Sequence, residues 1–122
     1  MRKLFILVIC LGMLATGISS FAASPEAQEV EICKAVISAI MNQTPAIMGG
    51  KISGGLPHVH YNRPSDGSLW KYKCRIEGGT VTWAMDPGRW RNEDFISYEI
   101  KGSKISVYDA TAGRTKTFSY TP

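Results

Sequence analysis

The sequence predicts an α+β fold, in which one N-terminal helix packs on an antiparallel β-meander of about six short strands with one disulfide. Three observations lead to this prediction. Apolar residues recur at helical spacing soon after the start of the chain. Beyond Pro57, apolar and polar residues alternate with the period of two that is typical of half-buried strands. Tight-turn residues separate these strands at short intervals, which favours consecutive antiparallel pairing.

Residues 1–22 have the pattern of a secretory signal peptide. Arg2 and Lys3 provide the positive start, an apolar run follows over residues 4–18, and Ala22 supplies a small residue for cleavage. The apolar run is short for a bilayer span, although a retained N-terminal anchor is the alternative. We therefore expect residues 23–122 to form a single exported domain, periplasmic or secreted, with no membrane span after cleavage.

Composition and charge exclude several classes of protein. Of the 122 residues, 44% are apolar and 20% are charged, as in ordinary globular proteins. The net charge is +4, but Arg2 and Lys3 lie in the predicted leader, so 12 basic and 10 acidic residues remain and leave +2. Domains that bind nucleic acid usually carry a larger basic excess, so nucleic acid is an improbable partner. The sequence predicts no cofactor.

The processed chain keeps two cysteines, Cys33 and Cys74. An even number in an exported chain indicates one disulfide. A redox or metal-binding pair is the alternative, but no CxxC motif is present. In the chain-entropy model, closing a loop of this length stabilises the fold by about 4 kcal/mol.

The helix is predicted from Pro25 to Asn42. Ser24 is suited to the N-cap and Pro25 to the first helical position, while the step from Thr44 to Pro45 ends the helix. One apolar stripe is expected to face the sheet and consists of Val30, Cys33, Ile37 and Ile40. Residues 45–57 contain two Gly-Gly pairs and are predicted to be a loop with a short turn at its start.

Six strands are predicted in the rest of the chain. They are His58–Arg63, Trp70–Ile76, Val81–Met85, Phe95–Lys101, Lys104–Asp109 and Thr115–Tyr120. Gly78-Gly79 and Gly102-Ser103 are expected to form hairpin turns between neighbours. Cys74 lies on the core-facing set of its strand, so the disulfide is expected to fasten the helix to the sheet.

The stretch from Tyr61 to Cys74 reads Y-x-R-P-x-D-G-x-x-W-x-Y-x-C, and G-R-W-R follows at Gly88–Arg91. These motifs resemble a group of small exported bacterial proteins in which a Cys-bearing helix precedes a strand-rich half. The similarity covers most of the chain after the leader. The resemblance implies the fold and the disulfide, and it implies no particular activity.

A basic stripe is the main indication of function. Lys71, Lys73 and Arg75 alternate with core residues, so they are expected to share the polar face of one strand. The candidate contact patch consists of Arg63, Lys71, Lys73, Arg75, Arg89, Trp90 and Arg91. Such a basic-aromatic face suits an anionic partner. The alternative is a merely solvated strand face, with Trp90 folded back onto the core.

His58 and His60 are the two histidines, and their i, i+2 spacing places them on the same face of a strand. A zinc site needs three or four ligands, so no metal site is predicted. A secreted hydrolase of phosphodiesters or glycans is the alternative function, with one histidine as proton carrier. Its other candidate groups are Glu77 or Glu99 for acid–base chemistry and Arg63 or Arg75 for phosphate.

The predicted function is a small exported binding protein without catalysis, comparable to inhibitors and immunity-type proteins. It is expected to dock a basic-aromatic sheet face onto a protein or an anionic envelope component, neither of which the sequence identifies. One domain of this size can present a standard interface of about 800 Å² per partner. A structural envelope component without a soluble partner is a further alternative.

Overall fold

Residues 25–121 form one α-helix followed by seven strands. The computed structural model describes residues 25–121, and the predicted signal peptide lies outside them. The elements are α1 (Pro25–Met41), a 3-10 turn (Pro45–Ile47), β1 (Gly49–Ser53), β2 (Leu56–Asn62), β3 (Leu69–Glu77), β4 (Thr80–Met85), β5 (Ile96–Lys101), β6 (Lys104–Asp109) and β7 (Arg114–Ser119). The strands pair in sequence order and each is antiparallel to the next. The predicted α+β meander is confirmed.

The strand count is seven rather than about six, because β1 lies where a loop was predicted. Gly49 and Gly50 are strand residues, not turn residues, and each is closely approached by a side chain. A Cβ on Gly49 would lie 2.8 Å from the His60 ring, and one on Gly50 would lie 2.6 Å from Val30 Cγ1. Glycine in a strand often marks such a close approach. The turn is made instead by the pair at 54–55, where φ is +60° and +79°.

The helix ends at Met41, and Asn42 follows in the left-handed region with φ 55°. Burial extends well beyond one stripe, because the sheet curls around α1, which contacts both edge strands, β1 and β7, as well as β2, β3, β5 and β6. The buried helical residues are Val30, Ile32, Cys33, Ala35, Val36, Ile37, Ser38 and Ala39. Among residues 25–121, no helix is long and apolar enough to cross a membrane.

The disulfide between Cys33 and Cys74 is confirmed. The two Cα atoms are 5.8 Å apart, and both side chains are fully buried. The bond joins the middle of α1 to the middle of β3. Next to it lies Tyr72, whose ring stacks on Tyr61 and tilts against Trp83, with both centroid distances 6.1 Å. Burial raises the pKa of the Tyr72 hydroxyl well above its usual value.

Candidate functional site

One row of side chains crosses the outer face of the sheet, which is the face turned away from α1. Lys51 pairs with His58, His58 with Lys73, and Lys73 with Ala84. Ala84 in turn forms an isolated bridge with Trp90. Paired residues of antiparallel strands project to the same side of a sheet. The row therefore places an indole on the same face as the basic residues of β1 and β3.

Trp90 contacts two cations of β3 on this face. Lys73 Nζ lies 5.0 Å and Arg75 Cζ 4.5 Å from the indole centroid, within the range of cation–π attraction. Ala84 lies between Trp90 and β3 and is fully buried, because its methyl group leaves room for the indole above β4. We call Lys73, Arg75 and Trp90 the aromatic cluster. The indole thus does not return to the core.

The cations of β1 and β3 form no salt bridges within the part of the chain that the structure describes. These cations are Lys51, Lys71, Lys73 and Arg75, and none lies within salt-bridge distance of a carboxylate in residues 25–121. Two residues of the predicted contact patch differ in this respect, because Arg63 pairs with Asp66 and Arg89 pairs with Glu93. The outer face of β1–β3 therefore carries uncompensated positive charge, which favours anionic ligands.

Arg63 lies apart from the aromatic cluster. Its guanidinium is 4.9 Å from the centroid of the Trp70 ring and donates to the Asp66 carboxylate. Asp66 also accepts hydrogen bonds from the Ser68 backbone N–H at 3.0 Å and the Ser68 hydroxyl at 2.7 Å. The hydrogen bonds from Arg63 and then Ser68 hold the pKa of Asp66 well below its usual range. Arg63 therefore stabilises the connection between β2 and β3, and its charge is paired with that of Asp66.

The three side chains of the Arg89-Trp90-Arg91 segment contact different parts of the molecule. Arg89 donates to both Glu93 carboxylate oxygens, at 3.0 and 2.9 Å. Arg91 lies over the ring of Trp83, a core residue, with its Cζ 4.8 Å from the centroid. Trp90 alone joins the outer face. Of the seven candidate patch residues, the structure thus brings Lys71, Lys73, Arg75 and Trp90 together on one face. Arg63 and Arg89 pair with carboxylates, and Arg91 lies over Trp83.

The Arg89–Glu93 pair gives a testable titration. The Arg89 guanidinium lowers the pKa of Glu93 from its ordinary 4.5 to about 2. Because the pKa is lower in the folded state, any stabilisation is complete above pH 4.5 and is lost as the pH falls toward 2. We expect the Glu93 carboxyl ¹³C signal to titrate near pH 2 and to return toward the ordinary value in Arg89→Ala. An unchanged midpoint in Arg89→Ala would contradict the assignment of this cause.

His58 on β2 contacts residues of two other segments through its ring nitrogens. Its Nδ1 lies 3.2 Å from Asp86 Oδ2, and its Nε2 lies 3.1 Å from the Ser53 carbonyl oxygen. The carboxylate and the carbonyl both accept hydrogen bonds, so the ring nitrogen that carries the proton is the donor in each contact. His58 then links the end of β1 to the residue that follows β4. His60 is exposed, and its ring packs over Gly49.

A depression of about 450 Å³ lies beside the aromatic cluster. Its lining includes Lys51, His58, His60, Leu69, Lys71 and Asp86. Sequence reasoning missed Lys51, because β1 was predicted to be a loop, and Asp86, because it precedes a proline in an apparent turn. The polar–apolar–polar order of Lys51, Ile52 and Ser53 was the available signal for β1.

The groups of the hydrolase alternative are not assembled at the histidines. Asp86, rather than Glu77 or Glu99, is the carboxylate at His58, and neither glutamate lines the depression. In the described part of the chain, no group of three or more His, Cys, Asp or Glu side chains could hold a metal ion.

Comparisons with known proteins add no functional assignment. No protein-family model, curated protein or solved structure matches the chain. The resemblance to small exported bacterial proteins therefore stays an expectation from the sequence motifs.

Proposed function

We propose that the protein is a small exported binding protein without catalysis, which docks the aromatic cluster onto an acidic surface of a protein partner. The observation that supports this most strongly is Trp90 flanked by Lys73 and Arg75, two cations that pair with no carboxylate of residues 25–121. Tryptophan and arginine are among the residue types that contribute most binding energy at protein interfaces.

The cluster is organised before any partner binds. The indole lies between the bridge to Ala84 and the cations of β3, so it restricts the side chains of Lys73 and Arg75. Ordering a long side chain at an interface costs about 0.5–1.5 kcal/mol, and part of this cost is already met in the free protein. A rigid sheet fixed to α1 by the disulfide supports the same arrangement.

The distribution of charge favours a local acidic surface over a long polyanion. Only a small net charge of +2 remains after Arg2 and Lys3 are set aside with the predicted leader. Lys51, Lys71, Lys73 and Arg75 nevertheless share one face of neighbouring strands. A local positive face of this kind steers a complementary surface and gives salt-dependent association.

The test is capture of a partner at two salt concentrations. The bait is the oxidised protein, produced with its own leader and immobilised, and the prey is an extract of envelope and culture medium. We expect one acidic protein to be retained at low salt and released at high salt. Matched baits are Lys73→Glu/Arg75→Glu and Lys104→Glu/Arg114→Glu, which change the net charge equally.

The capture experiment separates the possible outcomes. Loss of the captured protein only from the Lys73→Glu/Arg75→Glu bait supports the proposal. Equal loss from both variant baits would mean that general charge attraction, and not the aromatic cluster, retains the protein, which would contradict the proposal. Retention of an anionic polymer without any specific protein would overturn the proposed class of partner.

A further inference from the structure

We infer that the depression beside the aromatic cluster binds a phosphoryl group, as inorganic phosphate or as a phosphate monoester. This inference goes beyond the proposed function, because its donors, Lys51, His60 and Lys71, are not members of the aromatic cluster. It also requires no protein partner. The two sites can therefore be tested, and can fail, separately.

The donors come from three neighbouring strands. Gly49, His60 and Lys71 form one row across β1, β2 and β3, and Lys51 lies two residues along β1 from Gly49. Because Gly49 has no side chain, the His60 ring occupies the space above it. Lys51 and Lys71 therefore flank the two histidines, and all four residues line the same depression.

Asp86, the acidic residue that lines the depression, already contacts His58. Asp86 Oδ2 lies 3.2 Å from His58 Nδ1, and the two ammonium groups of Lys51 and Lys71 outnumber this carboxylate in the lining. Lys51 and Lys71 have no carboxylate partner in residues 25–121. The depression therefore presents an excess of positive charge to an entering anion.

The number of donors matches a phosphoryl group better than a carboxylate. A phosphate monoester carries a charge of about −1.5 to −2 at pH 7 and three acceptor oxygens, whereas a carboxylate carries one charge on two oxygens. Two ammonium groups and the His60 ring N–H provide donors from three strands. The 450 Å³ volume also leaves space for an ester substituent, and Leu69, 58% exposed, gives that substituent an apolar surface.

The experiment is an NMR titration of the oxidised protein with inorganic phosphate and, separately, with glycerol 3-phosphate. Ionic strength is held constant with chloride in both arms. We expect saturable shifts of the amide signals of Lys51, His60 and Lys71. Tighter binding of glycerol 3-phosphate identifies an ester as the source of the phosphoryl group, and equal binding identifies free phosphate. Absence of saturable shifts in both arms would overturn the inference.

Variants distinguish a built site from general charge attraction. Lys51→Ala/Lys71→Ala is expected to weaken binding at least about tenfold, because it removes two charge-assisted hydrogen bonds. The control Lys104→Ala/Arg114→Ala removes the same charge from β6 and β7 and is expected to leave binding within about twofold. An equal loss in both double variants would overturn the inference.

A second pair of variants tests the role assigned to His58. His58→Ala leaves the Asp86 carboxylate unpaired in the depression, so phosphate binding is expected to weaken. Addition of Asp86→Asn to His58→Ala is expected to restore most of the affinity, because it removes the exposed negative charge. Failure of Asp86→Asn to restore binding would contradict the proposal that His58 keeps the Asp86 carboxylate from opposing the bound anion.

Discussion

Replacing both half-cystines, Cys33→Ala with Cys74→Ala, is expected to lower the free energy of unfolding by about 4 kcal/mol. The bond joins residues 41 positions apart, so its loss returns considerable freedom to the unfolded chain. Domains of this size are stable by only about 5–15 kcal/mol in total. The double variant is therefore expected to lose a sizeable share of the stability of the oxidised protein.

Urea denaturation of three samples measures this effect. The samples are the oxidised protein, the same protein after reduction, and the double alanine variant. Reduction leaves both sulfur atoms in the core, so it removes the cross-link without a change of side-chain volume. We expect both altered samples to lose similar amounts of stability, with the alanine variant somewhat lower because of its smaller side chains. A loss below about 1 kcal/mol in both would show that the cross-link contributes little.

The second large effect concerns binding. Lys73→Glu with Arg75→Glu is expected to weaken the complex with the captured partner at least about a hundredfold, because like charges then meet at the interface. Both side chains lie on the outer face, away from the core. The thermal midpoint is therefore expected to change little, and circular dichroism checks that the fold is kept.

Equilibrium titrations at fixed salt compare this variant with Lys104→Glu/Arg114→Glu. The control reverses two exposed cations on β6 and β7, so the two variants have the same net charge. We expect the control to bind within a few-fold of the unmodified protein. Comparable weakening by both variants would mean that total charge, and not the aromatic cluster, determines the affinity.

Most of the fold follows from local patterns in the sequence. The alternation around Cys74 predicts β3, and the glycines at 78–79 predict the hairpin that follows it. The loop assigned to residues 45–57 was wrong where β1 lies, because Gly49 and Gly50 carry no side chains that could show alternation. Their strand conformation depends on the close approach of the Val30 and His60 side chains, which is a tertiary effect.

The candidate site was predictable only in part. A common face for Lys71, Lys73 and Arg75 follows from the period of two. The position of Trp90 does not follow from this period. Trp90 lies in the irregular segment between β4 and β5, and one isolated bridge to Ala84 places it on the outer face. The sequence does indicate that Trp90 and Arg91 point to different sides, because neighbouring residues in extended backbone project in opposite directions.

The most direct test is photo-crosslinking in the organism that produces the protein. Benzoylphenylalanine replaces Thr82, which pairs with Arg75 on the outer face, or Thr117, which pairs with Ser106 on β6. We expect a discrete crosslinked adduct from position 82 and none from position 117, with the adduct at 82 lost in the Lys73→Glu/Arg75→Glu background. An adduct from position 117 alone, or one at 82 that survives the charge reversal, would contradict binding through the aromatic cluster.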